Sequence, residues 1–343
     1  MTTNLSRRQF LAAAAGTAAL GAAAFALTGC GGSSSEASGS GEPRTKVKIG
    51  YWSECECDCS TIAAFAMGAF EEQGLEPELA LVDYNTWPAQ VANGDVDIMM
   101  VSGDSFNPMA EGAELVLVNG SHTGCSSYVT RIDDDSIKEP KDLVGKTIGV
   151  DAEGGLGQVL LISKMQELGV ENPYEAVTWK VYDPSAFIPA LQSGEIDCFG
   201  YWDPIPTMAV DQGIGKMLFR MNEMEPYTNV VCCYEGIAKR VVENEPELAV
   251  KLNAAFVKGT EYCRDQPAEC AKLLCDEGFF PEEDLELTTR CLEVMTYWTD
   301  PADAERSLRW WLELYQNAGT LAPGADIDEV MGRCFKDANQ LGA

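Results

Sequence analysis

The chain has 343 residues, 46% of them hydrophobic, with 54 acidic residues against 24 basic ones and a formal net charge of −30. That balance argues against a nucleic-acid partner and against docking on anionic lipid, both of which need a basic face. One histidine beside 13 cysteines leaves little room for a histidine-based catalytic relay or a histidine-rich metal site.

At the N-terminus "SRRQFL" (residues 6–11) places Arg7 and Arg8 ahead of an Ala- and Leu-rich run that ends near residue 27. A charged region followed by an apolar one reads as an export signal, and the arginine pair reads as the twin-arginine form used for folded proteins. The run is about long enough to cross a membrane, but its Ala/Gly character and the motif after it favour a cleaved signal. That motif, "LTGC" at residues 27–30, resembles a lipobox and implies cleavage before Cys30 and lipidation of its thiol. Residues 1–29 are therefore expected to be a twin-arginine lipoprotein signal peptide. Residues 30–46, Gly- and Ser-rich without apolar periodicity, read as a flexible tether with an end-to-end distance of about 20–24 Å. The folded part, about 300 residues, has enough chain for two lobes with real cores.

The first strand, "VKIGYW", runs into "SECECDCS" (residues 53–60), where Cys55, Cys57 and Cys59 alternate with carboxylates. Next come a helix over "STIAAFAMGAFEEQG", with Ser60 as its cap and Gly74 as its stop, a strand "ELALVDY" and a short helix "WPAQVAN". A strand "VDIMMVS", a helix "DSFNPMAEG" and a strand "ELVLVNGS" complete a first half. The second half repeats the order with "KTIGVD", "GQVLLISKMQELG", "TWKVYD", "PSAFIPALQSG", "IDCFGYW", "PIPTMAVDQG" and "GKMLFRM". The two halves echo one another: Gly94, Asp95 and Asp97 correspond to Gly194, Glu195 and Asp197 one hundred residues on. Alternating strands and helices predict an α/β fold of mostly parallel sheets flanked by helices. Beyond about residue 237 the periodicity is helical throughout, which predicts a C-terminal helical extension packed on the first lobe.

The motifs "FEEQGLEPEL", "GDVDI", "DLVGKTIGV" and "SGEID", in this order, resemble the substrate-binding proteins of nitrate/taurine/alkanesulfonate ABC importers, whose superfamily includes thiamine-pyrimidine-precursor proteins. The resemblance covers almost the whole processed chain. It implies a two-lobed periplasmic-binding-protein-like fold of type II, with residues 47–124 and 230–343 forming lobe one and 125–229 lobe two. It also implies no catalysis and no cofactor, a small polar or anionic solute held between the lobes, and delivery to an ABC permease and its ATPase. The protein is expected to act as a monomer on the outer face of the cell membrane, held by its N-terminal lipid. The alternatives are an enzyme on the same scaffold, related to thiamine-pyrimidine-precursor synthesis, and a metal- or metal-chelate-binding protein using the cysteines.

Ligands of open α/β sheets bind beyond the carboxyl ends of the strands. The residues expected there are Trp52, Glu54, Ser60, Thr61, Ser102, Ser105, His122, Thr123, Cys125, Gly154, Gly155, Tyr201, Trp202 and Asp203. Hydroxyls and helix N-termini would take polar groups, and Trp52, Tyr201 and Trp202 would form an aromatic wall. Asp203, just before Pro204, also reads as a helix cap. "EGGLG" (residues 153–157) lacks the Lys-Ser/Thr and the spacing of a nucleotide loop. For Cys55, Cys57 and Cys59, disulfides to Cys125, Cys232 or Cys233 across the crossovers are the default expectation, with Cys263, Cys270, Cys275 and Cys291 stapling the tail. A thiolate-bound metal and free thiols lining the pocket remain open.

Overall fold

The computed structural model describes residues 44–53, 55–322 and 324–342. The expected signal peptide, Cys30, most of the tether and Glu54 lie outside the described residues. Eleven strands are described: β1 (Thr45–Tyr51), β2 (Leu75–Leu81), β3 (Ile98–Val101), β4 (Leu115–Thr123), β5 (Ser126–Arg131), β6 (Thr147–Val150), β7 (Thr178–Val181), β8 (Cys198–Trp202), β9 (Gly215–Arg220), β10 (Cys233–Ala238) and β11 (Thr296–Tyr297). They form two sheets, one ordered β2-β1-β3-β10-β4-β11 and one ordered β7-β6-β8-β5-β9.

The halves are built alike. In each, the first strand lies between two parallel neighbours, β2 and β3 in one sheet and β7 and β8 in the other. Each sheet then receives an antiparallel strand from the far side of a crossover, β10 in the first and β5 in the second. The sheets are therefore mixed rather than mostly parallel, with parallel pairing on one side of each and antiparallel pairing on the other. The chain passes from one sheet to the other between β4 and β5 and returns between β9 and β10.

The repeated carboxylates explain themselves in this frame. Asp97 accepts from the Lys48 amide at 2.6 Å and Asp197 from the Thr147 amide at 2.8 Å. Each thus ties the strand it precedes to the first strand of its lobe. Just before them Gly94 and Gly194 take φ of 76° and 75°, a left-handed turn that suits a residue without a Cβ.

Helices cover both sheets. The tail supplies Pro246–Asp265, Pro267–Asp276, Leu285–Glu293, Pro301–Asn317 and Ile327–Cys334, and returns to lobe one through β11 on β4. The helical extension after residue 237 opens with two helices, Lys239–Asn244 and Pro246–Asp265, because Pro246 cannot continue the first. One core cluster runs through lobe one, the hinge and the base of lobe two; a smaller one around Val129, Phe187 and Phe199 fills lobe two's outer layer. No described helix is long and apolar enough to cross a membrane.

Candidate functional site

The turn after β3 meets the helix that follows β6, which brings the carboxyl ends of the two sheets together. From lobe one, Trp52 follows β1 half-buried, its amide donating to Asp58 Oδ2 at 2.8 Å and its indole nitrogen to the Met100 carbonyl at 2.8 Å. Its ring lies 6.3 Å from that of Tyr84. In lobe two, Tyr201 and Trp202 end β8 and stack at 4.0 Å. Burial, and then the charge of Asp151, pushes the Tyr201 phenol upward, with Cys55 and Asp104 adding to it. Two aromatic pairs, Trp52 with Tyr84 and Tyr201 with Trp202, thus stand at the ends of β1 and β8.

The lobes touch at several polar points, among them the Arg290–Asp211 ion pair and the Asn222 amide on the Val294 carbonyl, and one of them lies at the strand ends. Asp104, in the turn after β3, accepts from the amide of Leu156 at 2.7 Å. Leu156 is the first residue of helix Leu156–Glu167 in lobe two, so a lobe-one carboxylate sits at a lobe-two helix N-terminus, where the dipole favours an anion. Desolvation and the neighbouring Asp151 carboxylate nonetheless push Asp104 up to about 7, and Asp151 is raised as well. The Tyr315 hydroxyl closes this corner against Gly103.

The remaining expected residues are distributed as follows. Ser102 stands 3.5 Å from Asp104, and Ser105 is buried in the same turn. Gly154 donates to Gln158 Oε1 at 2.7 Å, and Gly155 precedes the helix that Asp104 caps. These line the gap. Ser60, Thr61, His122, Thr123 and Cys125 lie behind it, fully or almost fully buried. Asp203 is buried too, its carboxylate engaged by Arg220 Nη1 at 2.6 Å and by the Thr207 hydroxyl at 2.7 Å and amide at 3.2 Å. It caps helix Ile205–Asp211 and neutralises Arg220. Asp104 and Asp151 fall within the strand-end loops where a ligand is expected, residues 102–105 and 151–157, but are not among the site residues named from the sequence, and Tyr84 lies outside those loops. A Ser-Gly-Asp turn after an apolar strand is the only local signal that would have drawn attention to Asp104.

The cysteines do not form disulfides among the described residues; all twelve carry free thiols. The alternating triplet splits. Cys57 joins Cys125, Cys233 and the His122 imidazole, one ligand atom from each lying within 4.8 Å of all the others. Cys59 opens helix Cys59–Ala66 and turns toward the Tyr297 hydroxyl at 3.9 Å, and its thiol is lowered to about 7, first by Cys263 and against the effect of burial. Cys55 stays half-buried at the edge. In the tail, Cys263 and Cys270 sulfurs approach to 3.5 Å.

Comparison with known proteins agrees with this architecture. The NMT1/THI5-like family model matches residues 59–270. A protein of Brucella abortus (strain 2308), whose name assigns it provisionally as a binding protein, is 27% identical over 239 residues, 68% of this chain and 67% of that one. The periplasmic aliphatic sulphonate-binding protein SsuA of Escherichia coli superimposes with a TM-score of 0.70 at 17% identity, over 85% of this chain and 92% of its own. The periplasmic nitrate-binding protein NrtA of Synechocystis PCC 6803 gives 0.66 at 13% identity, over 85% and 86%. With the family match spanning more than half its length, the chain belongs to the NMT1/THI5-like family and has the two-lobed fold of periplasmic binding proteins.

Proposed function

We infer that this chain is an extracytoplasmic solute-binding lipoprotein that captures a small polar solute between its lobes and hands it to an ABC permease and its ATPase. The observation that carries this reading is the meeting of the lobes at Asp104 and Leu156, with the aromatic pairs Trp52 with Tyr84 and Tyr201 with Trp202 at the ends of β1 and β8. A solute seated there touches both halves, which is the condition for a ligand to shift an open–closed equilibrium. The relatives named as binding proteins of sulphonates and nitrate support the transport class. An anionic solute has to displace the Asp104 carboxylate from the helix N-terminus, so a neutral or cationic edge facing Asp104 and Asp151 fits this pocket better. The arginine pair and Cys30 support export by the twin-arginine route and a lipid anchor, with lobes bounded at residues 47–124 with 230–343 and at 125–229. An enzymatic reading has little to work with, because the single histidine is buried and held by Ser121 rather than open to the gap.

Native mass spectrometry on protein released from the membranes of its own cells tests the reading. One small molecule per chain is expected, lost in the double variant Tyr201→Ala and Trp202→Ala. A molecule that is chemically converted during incubation with the protein would overturn the assignment in favour of catalysis.

A further inference from the structure

Four chain segments deliver metal-ligating side chains to one buried point behind the cleft. Cys57 comes from the turn after β1, His122 from β4, Cys125 from the crossover into lobe two and Cys233 from the start of β10. None is more than 4% exposed, which decides that solvent does not satisfy them. His122 and Cys233 are direct partners in the β4–β10 ladder, and directly opposite residues present their side chains to the same face. A register irregularity between Cys233 and Tyr234 bends the strand at this point, as bulges do where a side chain is re-aimed.

Three thiols and an imidazole gain little by packing against one another, since S–H is a weak donor. A disulfide would use two of the sulfurs and leave the third and the ring unexplained. The spacing also differs: Cys125 and Cys233 sulfurs are 3.7 Å apart. A disulfide requires about 2.05 Å, whereas the edge of a tetrahedron with zinc–sulfur bonds of about 2.3 Å is about 3.8 Å. The imidazole is prepared in the manner of a metal ligand. Its Nδ1 lies 3.0 Å from the Ser121 hydroxyl, which is itself 2.8 Å from the Ser60 hydroxyl, and Nε2 makes no hydrogen bond. One nitrogen held and the other free is the arrangement that fixes a ligating ring.

We propose that Cys57, Cys125, Cys233 and His122 hold one resident zinc ion in a closed tetrahedral site. On binding, three thiol protons leave to solvent, and three thiolates with a neutral imidazole give the site one net negative charge. Thiolates select a soft or borderline ion over magnesium or calcium, and a full set of four protein ligands leaves no open position for catalysis. Burial makes the ion a permanent part of the fold rather than cargo. Its ligands come from both crossovers and from the loop that carries Trp52, so the ion pins the hinge to the floor of the cleft whatever the solute. Cys232 lies 3.4 Å from Cys125 and 3.5 Å from Cys233, outside the four, where its S–H can donate to their thiolates.

The test is elemental analysis and zinc-edge X-ray absorption on the full chain, purified without a histidine tag. The expected result is one zinc per chain with three sulfurs at about 2.3 Å and one nitrogen at about 2.0–2.1 Å. Cys57→Ser and Cys233→Ser should lower zinc content at least tenfold, while Cys232→Ser and Cys334→Ser, the latter a buried thiol elsewhere, retain it. Should the ligand variants fail to accumulate, the wild-type protein alone decides. Reduced wild type that contains no zinc and takes up none when the ion is added in equal amount overturns the proposal. So does an absorption spectrum without sulfur neighbours, or a disulfide among Cys57, Cys125 and Cys233 in the intact mass. Loss of zinc in Cys232→Ser with retention in Cys233→Ser overturns the ligand assignment.

Discussion

Asp203 accepts three hydrogen bonds from a position without solvent exposure, and its partner Arg220 is only 11% exposed. Taking both charges from water costs several kcal/mol per ion, which the pairing offsets; removing one partner leaves the other charged and buried. Asp203→Ala is expected to lower the free energy of unfolding by about 3–5 kcal/mol in a urea titration. A loss below about 1 kcal/mol would show that water reaches Arg220 easily and that the pair matters little. The sequence offered half of this. Pro204 marked Asp203 as a helix cap, but Arg220 lies on another strand, and no local pattern announces such a pairing. The cysteine triplet behaves similarly. Alternate residues on a helical turn stand about 200° apart, so Cys57 and Cys59 in the turn and helix of 56–66 face opposite ways, one to the hinge and one to the tail. An alternating pattern read as an extended loop puts them on one side, which is why a common disulfide partner looked natural.

Helix Pro246–Asp265 packs on helix Cys59–Ala66 at a distance that only glycine permits. A Cβ on Gly259 would stand 2.2 Å from the Ser60 carbonyl oxygen and 2.7 Å from the Ala64 nitrogen, both backbone atoms that cannot rotate away. Gly259→Ala gains about 1 kcal/mol of helix propensity but must force the helices apart, and a net loss of about 2 kcal/mol is expected from the overpacking. Gly332→Ala, in helix Ile327–Cys334 with open space around it, is the matched control and should stabilise by about 0.5–1 kcal/mol. Equal effects of the two in chemical denaturation would contradict the close packing. At this scale the sequence was largely legible, because apolar runs and helical periodicity record which face is buried. The strands it did not show were the crossover strands β5 and β10 and the two-residue β11. Ser126 and Ser127 in β5 are polar yet buried, and Cys232 and Cys233 precede a Tyr-Glu-Gly stretch, so neither segment shows the alternation of a half-exposed strand. Their antiparallel entry is what makes both sheets mixed.

For the molecule as a whole, the contact between Asp104 and the Leu156 amide forms only when the lobes are together. It was not legible in the sequence, since a carboxylate capping a helix from another lobe leaves no trace in local spacing. Asp104 is surrounded by Asp151, Tyr84, Tyr201 and Tyr315, without a cation among these groups, and is pushed up to about 7 from an ordinary value of 3.8. A carboxyl group raised in the closed state holds its proton more tightly there than when solvated. Closure is therefore favoured at low pH, loses ground as pH rises between about 4 and 7, and changes little beyond. Ligand-free protein should show a larger radius of gyration at pH 8 than at pH 5, and Asp104→Asn, which still accepts from Leu156, should flatten that dependence. An unchanged pH profile in the variant would assign the effect to other groups.

Small-angle scattering with the solute recovered from native protein tests hinged capture most directly. Adding it to stripped protein at fixed pH should shrink the radius of gyration stoichiometrically, and the variant lacking Tyr201 and Trp202 aromatic rings should stay at the ligand-free value. A solute that binds tightly to stripped, demonstrably open protein and leaves the radius unchanged would contradict a clamp that closes on its cargo.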